Sequence, residues 1–196
     1  MKLNQIAIIK SGLVLSRKLS KFPSQVHYPV LTLRSLHPNG DIEAEQLEAY
    51  DASEELNPEY LTKNGDVVFR LSAPYTATLI CNHTQGIVIS SNFAVIRPDC
   101  QKLLPEYLVW LLNTPKVKRQ IYENATSNML GSVRATWFAE FEIPPLSLEE
   151  QRKVATLHAL AKQEIQALVR LTAEKEKYYA SLTEKLHESL KKENLP

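Results

Sequence analysis

Residues 143–154 read Ile143-Pro144-Pro145-Leu146-Ser147-Leu148-Glu149-Glu150-Gln151-Arg152-Lys153-Val154, and this stretch divides the chain in two. The Pro-Pro pair is a stiff, extended entry that disfavours helix just before it. Ser147 followed three residues later by Glu150 is a capping box, in which each side chain satisfies a backbone N–H that a helix's first turn leaves open. A helix is therefore expected to begin here. From Glu149 to Lys192 neither Gly nor Pro interrupts it, and at ~1.5 Å per residue that run is roughly 66 Å long. Its apolar stripe is Val154, Leu157, Ala161, Ile165, Leu168, Leu171, Tyr178, Leu182, Leu186 and Leu190, at spacings of three, four or seven, with Lys175 interrupting near the middle. A domain at one end does not cover a stripe of that length, so a second helix is implied, and with one such helix per chain it belongs to a second copy or a different subunit. The nine bases and eight acids of residues 146–196 suit helix pairing better than membrane or nucleic-acid contact.

Upstream the composition changes. Ten of the eleven prolines and all five glycines lie in residues 1–145. Short branched runs alternate there with turn signals: Val30–Leu33, Val67–Leu71, Ala77–Ile80, Ile87–Ile89 and Phe93–Ile96, punctuated by Asn39-Gly40, Asn64-Gly65 and Gln85-Gly86. Two helices interrupt them, one from Pro105 through Leu112 and one opened by Thr114-Pro115, a side-chain cap followed by proline at the first helical position. Lys116, Lys118 and Arg119 crowd the start of the second, where they oppose the helix dipole; phosphate binding or a solvated face would account for them equally well. The expected fold class is α+β: a mostly antiparallel twisted sheet domain with a few short helices (residues 1–145), followed by one long C-terminal α-helix that forms a coiled coil (residues 146–196).

The 196 residues carry 23 Lys plus Arg against 22 Asp plus Glu, a balance that argues at first against a nucleic-acid partner. The charges are nevertheless segregated. Residues 1–40 hold six bases and no acid, residues 41–59 hold eight acids and no base, and residues 60–139 hold eight bases and four acids. A basic face and an acidic face can therefore coexist, with the acidic segment expected to lie away from any duplex. No run approaches the ~18 apolar residues of a membrane span, and Met1-Lys2-Leu3-Asn4-Gln5 does not open a signal peptide, so a cytoplasmic protein without membrane contact is expected. Cys81 and Cys100 are then most simply reduced and expected in core or strand positions.

Catalytic signatures are sparse. The five histidines form no HxxxH or HExxH pair, and Cys81-Asn82-His83 is a lone CxH, so no metal site is expected. There is no GxSxG elbow, glycine-rich phosphate loop or GxGxxG, hence no cofactor and no catalytic residue is assigned. Ser72-Ala73-Pro74-Tyr75 only faintly echoes the (N/D)PPY motif of adenine methyltransferases, lacking the residue that holds the amino group.

The segment Ile143–Val154 resembles the I-P-x-P-P-x-E-E-Q-x-x-I/V junction of specificity (S) subunits of type I restriction-modification enzymes. Upstream, Asn64–Arg70 resembles their G-D-I-L-F strand, Ile87–Pro98 their V-S-S-x-F-x-V-L-R-P block, and Pro105–Asn113 the helix after it; Gly131 with Trp137-Phe138 occupies the usual approach to the junction. Two departures stand out. Ser147 replaces the second proline of the usual pair, and the chain carries one recognition domain and one long helix where the usual subunit carries two of each. It looks like a half subunit, natural or cut.

The resemblance implies a non-catalytic subunit that recognises double-stranded DNA and gives target specificity to methyltransferase (M) subunits and, through them, restriction (R) subunits. Pairing of two copies through Leu157, Ala161, Ile165, Leu168, Leu171, Tyr178, Leu182, Leu186 and Leu190 would give an antiparallel homodimer reading an interrupted palindrome. Lys10, Arg17, Lys18 and Lys21, with Lys116, Lys118 and Arg119, are then candidates for phosphate contact. Arg34, Arg70, Arg134, Asn92 and Asn128 have forked groups suited to base edges in the major groove, and Ser11, Ser90, Ser91, Ser127 and Tyr75 lie in loops beside them. Each has an ordinary surface or turn role as its alternative, and Arg97, just before Pro98, is expected to pair with an acid. The competing function class is a coiled-coil adaptor whose sheet domain binds protein; a DNA-cleaving or methylating enzyme is a third.

Overall fold

The computed structural model describes residues 1–22, 24–126 and 131–193; the expected contact Asn128, with Ser127, lies outside them. The chain divides into two units, Met1–Ala155 and Thr156–Pro196. Seven strands occur among the described residues: β1 (Ala7–Ser11), β2 (His27–Leu31), β3 (Glu48–Asp51), β4 (Val67–Arg70), β5 (Ala77–Leu79), β6 (Val88–Ile89) and β7 (Phe93–Pro98). They are followed by α1 (Pro105–Asn113), α2 (Pro115–Thr126) and the long α3 (Leu148–Glu193).

The apolar runs at 67–69 and 93–96 form the central pair of the first unit. Strands lie in the order β1-β7-β4-β5 in one antiparallel sheet. Side chains alternate across a strand: Val67, Phe69, Ala94 and Ile96 face a core shared with Tyr107, Leu108 and Leu112 of α1, Val117 and Ile121 of α2, and Phe138. Val68, Phe93 and Val95 point the other way, against Leu31, Ile80 and Ile89. Burial on both faces is why these strands read as continuous apolar runs with no polar alternation. The second sheet, β3-β2-β6, pairs β2 antiparallel to β3 but parallel to β6, a departure from a wholly antiparallel arrangement.

Two strands escape the sequence pattern. The edge strand β1 leaves Ile8 59% exposed, so its apolar residues do not mark one face. In β3 only Tyr50 is buried, and the rest of the strand is carried by backbone pairing with β2. The cysteines depart as well: both are free thiols, but Cys81 is half-buried and Cys100 exposed, in turns outside the strands. Arg97 does pair with an acid, donating from Nε (2.9 Å) and Nη2 (3.2 Å) to the carboxylate of the buried Asp66.

The capping box forms as read. The Ser147 N–H donates to Glu150 Oε2 (2.8 Å) and the Glu150 N–H to Ser147 Oγ (3.3 Å). The Ser147 hydroxyl, which donates to Glu150 Oε2 (2.7 Å), and then the Ser147 N–H hold the Glu150 pKa below its ordinary value by stabilising the ionised carboxylate. One residue later Gln151, 1% exposed, is saturated: its Oε1 accepts from the Leu104 N–H (2.8 Å) and its Nε2 donates to the carbonyls of Lys102 and Leu146 (both 3.0 Å). That amide ties the first turn of α3 to the loop entering α1. In the second unit, α3 exposes every stripe residue from Leu157 to Leu190, with Leu157 at 70% and Ile165 at 61%. No helix among the described residues is long and apolar enough to cross a membrane.

Replacing Gln151 with Ala removes a buried amide and leaves the part-buried N–H of Leu104 and the carbonyls of Lys102 and Leu146 without this partner; a fully buried group left unsatisfied costs about 1–3 kcal/mol. Urea denaturation followed by tryptophan fluorescence is expected to show at least about 2 kcal/mol lost for Gln151→Ala, against at most about 0.5 kcal/mol for the exposed neighbour Arg152→Ala.

Candidate nucleic-acid interface

The antiparallel registers bring four strand ends together. Ser11 pairs with Ala94 and Arg70 with Phe93, while Phe69 pairs with Ala77. The C-terminal ends of β1 and β4 and the N-terminal ends of β5 and β7 therefore share one end of the sheet. Loops close over it through backbone bonds: the Leu71 N–H donates to Asn92 O (3.0 Å), Gly12 to Phe93 O (3.0 Å), Ser91 to Leu13 O (2.8 Å) and Val133 to Leu71 O (2.9 Å). The Arg70 Nη1 donates to Leu33 O (3.1 Å), which brings in the residue before Arg34.

Ser11, Arg34, Ser91, Asn92 and Arg134 are thus gathered at this end with exposed side chains. The contributing loop residues 11–13, 33–35, 71–76, 90–92 and 131–136 contain no Asp or Glu. A surface that presents two guanidiniums, hydroxyls and a carboxamide, with no carboxylate in the same loops, supplies donors for phosphate and for base edges.

Three expected contacts have other roles. Tyr75 is 6% exposed, with φ at 52°, a conformation uncommon for a bulky residue. It is held there by its hydroxyl, which donates to Gly131 O (2.8 Å), and burial, with Tyr122 nearby, raises its phenol pKa. Ser90 is 4% exposed and its hydroxyl has no partner among the described residues. Arg70 is half-buried and spends its guanidinium on Leu33 O and Ser72 Oγ (3.4 Å), and desolvation lowers its pKa. These residues build the platform and do not face outward from it. Gly12 belongs with them: a Cβ there would sit 2.2 Å from Ser90 O, so only glycine allows the backbones to touch. A lone glycine after Lys10-Ser11 was the available signal, and it carried no sign of what approached it.

The expected separation of charge does not hold. The acidic segment folds back along the N-terminal block, with Ser20 N–H donating to Asp51 O and Ser53 N–H to Lys18 O. Lys18 is ion-paired with Glu54 and Lys10 with Glu59, while Arg17 and Lys21 stay exposed. On α2, Arg119 is exposed, and Lys116 faces a groove that also holds Glu123, Glu140 and Glu142. Lys118 is half-buried with its pKa lowered by desolvation and no salt bridge among the described residues; it lies one turn from Tyr122, the neighbour of Tyr75.

Tyr75→Phe removes the bond to Gly131 O without changing the ring, and thermal or urea unfolding is expected to show a loss of about 1 kcal/mol. A larger loss would mean that the hydroxyl also governs the left-handed turn.

No protein-family model and no curated protein matches the sequence. Among solved structures, the HsdS subunit from Thermoanaerobacter tengcongensis superposes with a TM-score of 0.70 at 19% identity, over 90% of this chain and 45% of that one. A chain from a structure concerning complex assembly and conformational transition of the type I R-M system gives 0.64 at 22% identity, over 90% and 45%. The S subunit of the type I restriction-modification system from M. genitalium gives 0.51 at 16%, over 85% and 39%. The chain therefore has the fold of roughly half of a type I restriction-modification S subunit: one sheet domain and the long helix that follows it.

Proposed function

We propose that this chain is a non-catalytic DNA sequence-recognition subunit that directs the methyltransferase subunits of a type I restriction-modification complex, and through them the restriction subunits, to their target. The observation that carries this reading is the sheet end whose loops bear Arg34, Arg134, Ser11, Ser91 and Asn92 and contain no Asp or Glu of their own, on an S-subunit fold. Arg34, Arg134 and Asn92 read bases there; Arg17, Lys21, Lys118 and Arg119 anchor phosphates. Lys10 and Lys18 contribute less, because each already has a carboxylate partner.

Recognition is doubled by a second copy. Eleven of the seventeen large apolar side chains that are exposed among the described residues lie on α3 between Leu157 and Leu190. An apolar surface of that extent on one helix is stable in water when a second helix covers it. Two copies paired antiparallel are related by a two-fold axis, so the target is two inverted half-sites separated by a spacer that the helices set.

Selection of the full chain against a random duplex library, alone and with methyltransferase subunits, tests the first claim. Enrichment of an interrupted palindrome, with affinity falling steeply in salt, is the expected result; no enrichment in either format overturns it. Arg134→Ala is expected to cost about 1–3 kcal/mol on the selected duplex and to relax one base position, whereas Arg119→Ala weakens all sequences alike and reduces the salt slope by about 1. Sedimentation equilibrium tests the second claim: the chain is expected to be dimeric and Leu168→Glu with Leu182→Glu monomeric, and a monomeric parent chain refutes helix pairing.

A further inference from the structure

A groove on the first unit lies outside the sheet end just described. Its floor is aromatic: Trp137 stands edge-on to Phe138 (5.1 Å between centroids) and 5.4 Å from Phe141, while Trp110 lies 5.5 Å from Tyr107. Both indoles are half-buried, and among the described residues neither N–H has a hydrogen-bond partner. The open volume is about 890 Å³, within the range of sites that take a ligand or a few side chains.

The walls are rigid and unlike. One is the α2 face of Val117, Gln120, Glu123 and Asn124, spaced three and four residues apart. The other is the extended segment from Phe141 to Pro144, fixed on its far side by the N-terminus: Leu3 N–H donates to Phe141 O (2.9 Å) and Ile143 N–H to Met1 O (2.8 Å). In such a pairing the intervening residue turns its own N–H and C=O the opposite way. Those groups of Glu142 have no partner among the described residues, which leaves a short open strand edge beside the indoles.

Charge selects the occupant. Glu123, Glu140 and Glu142 line the groove with Lys116; Glu140 is ion-paired with Lys2 (2.5 Å), whose ammonium also acts on Glu142, while Glu123 and Glu142 have no salt-bridge partner among the described residues. The remaining surplus of carboxylate favours a cation over phosphate there. We propose that the groove binds an extended segment of a partner protein in which an Arg or Lys alternates with an aromatic or branched apolar side chain. The backbone pairs with Glu142, the apolar side chain fills the space over Trp137, and the cation sits between the carboxylates and an indole face. This surface does not depend on the DNA reading, since it uses none of the residues of the sheet end.

The full chain, panned against a displayed library of short random peptides, is expected to enrich sequences with a cation two residues from an aromatic or branched residue. A synthetic peptide of the enriched sequence should shift the tryptophan emission. Its affinity is expected to fall about tenfold in Glu123→Gln with Glu142→Gln, two exposed positions whose change leaves the unfolding midpoint intact, and to fall also with added salt. Duplex binding, measured on the same variant, is expected to be unchanged. Enrichment of acidic peptides or of none, peptide affinity indifferent to the double variant, loss of duplex binding in that variant, or a change in its self-association would each overturn the proposal.

Discussion

Everything in the first unit follows from burying β4 and β7 on both faces. Val67, Phe69, Ala94 and Ile96 demand one cover and Val68, Phe93 and Val95 another. The helices α1 and α2 with Phe138 provide the first, and the second sheet provides the other through Leu31 and Ile89. Fully burying a side chain such as Phe69 or Phe93 contributes roughly 1.5–3 kcal/mol, so slipping either strand by one residue would misplace several such groups at once. The register is fixed for that reason. A fixed register in turn fixes which loops meet at the end of the sheet.

Polar side chains gather at that end because the central strands β4 and β7 have no free face to offer. Their solvent access is at the strand ends, where the backbone bonds from Leu71, Gly12 and Val133 tie the loops into one surface. Arg70 and Tyr75 hold it from beneath, each through a bond to a backbone carbonyl. Arg34 and Arg134, far apart in sequence, become neighbours of the same platform. The same unit carries a carboxylate-lined groove over Trp110 and Trp137 that shares no residue with that platform.

Much was legible beforehand. The five apolar runs became strands, the Thr114-Pro115 and Ser147/Glu150 signals opened helices, and the long helix runs one residue beyond its expected bounds at each end. Local chemistry decides such features, since caps and runs act over a few residues. β1 and β3 were missed because a strand held by backbone pairing leaves little trace in side chains. Arg34, Arg134, Ser91 and Asn92 are candidates by residue type alone, which does not distinguish them from Tyr75 and Ser90, both buried in the fold.

The amino-acid sequence by itself determined the α+β class, the capped start of the long helix after Ser147 and the apolar stripe along it, because each rests on contacts between near neighbours or on periodicity. Only the tertiary structure decided which charges remain available. Lys10 and Lys18 stand in an acid-free block, yet Glu59 and Glu54, distant in sequence, fold back to neutralise them, whereas Arg34 and Arg134 form no salt bridge among the described residues. Net charge is additive along a chain; electrostatic potential depends on distance, and distance is set only when the strands pair.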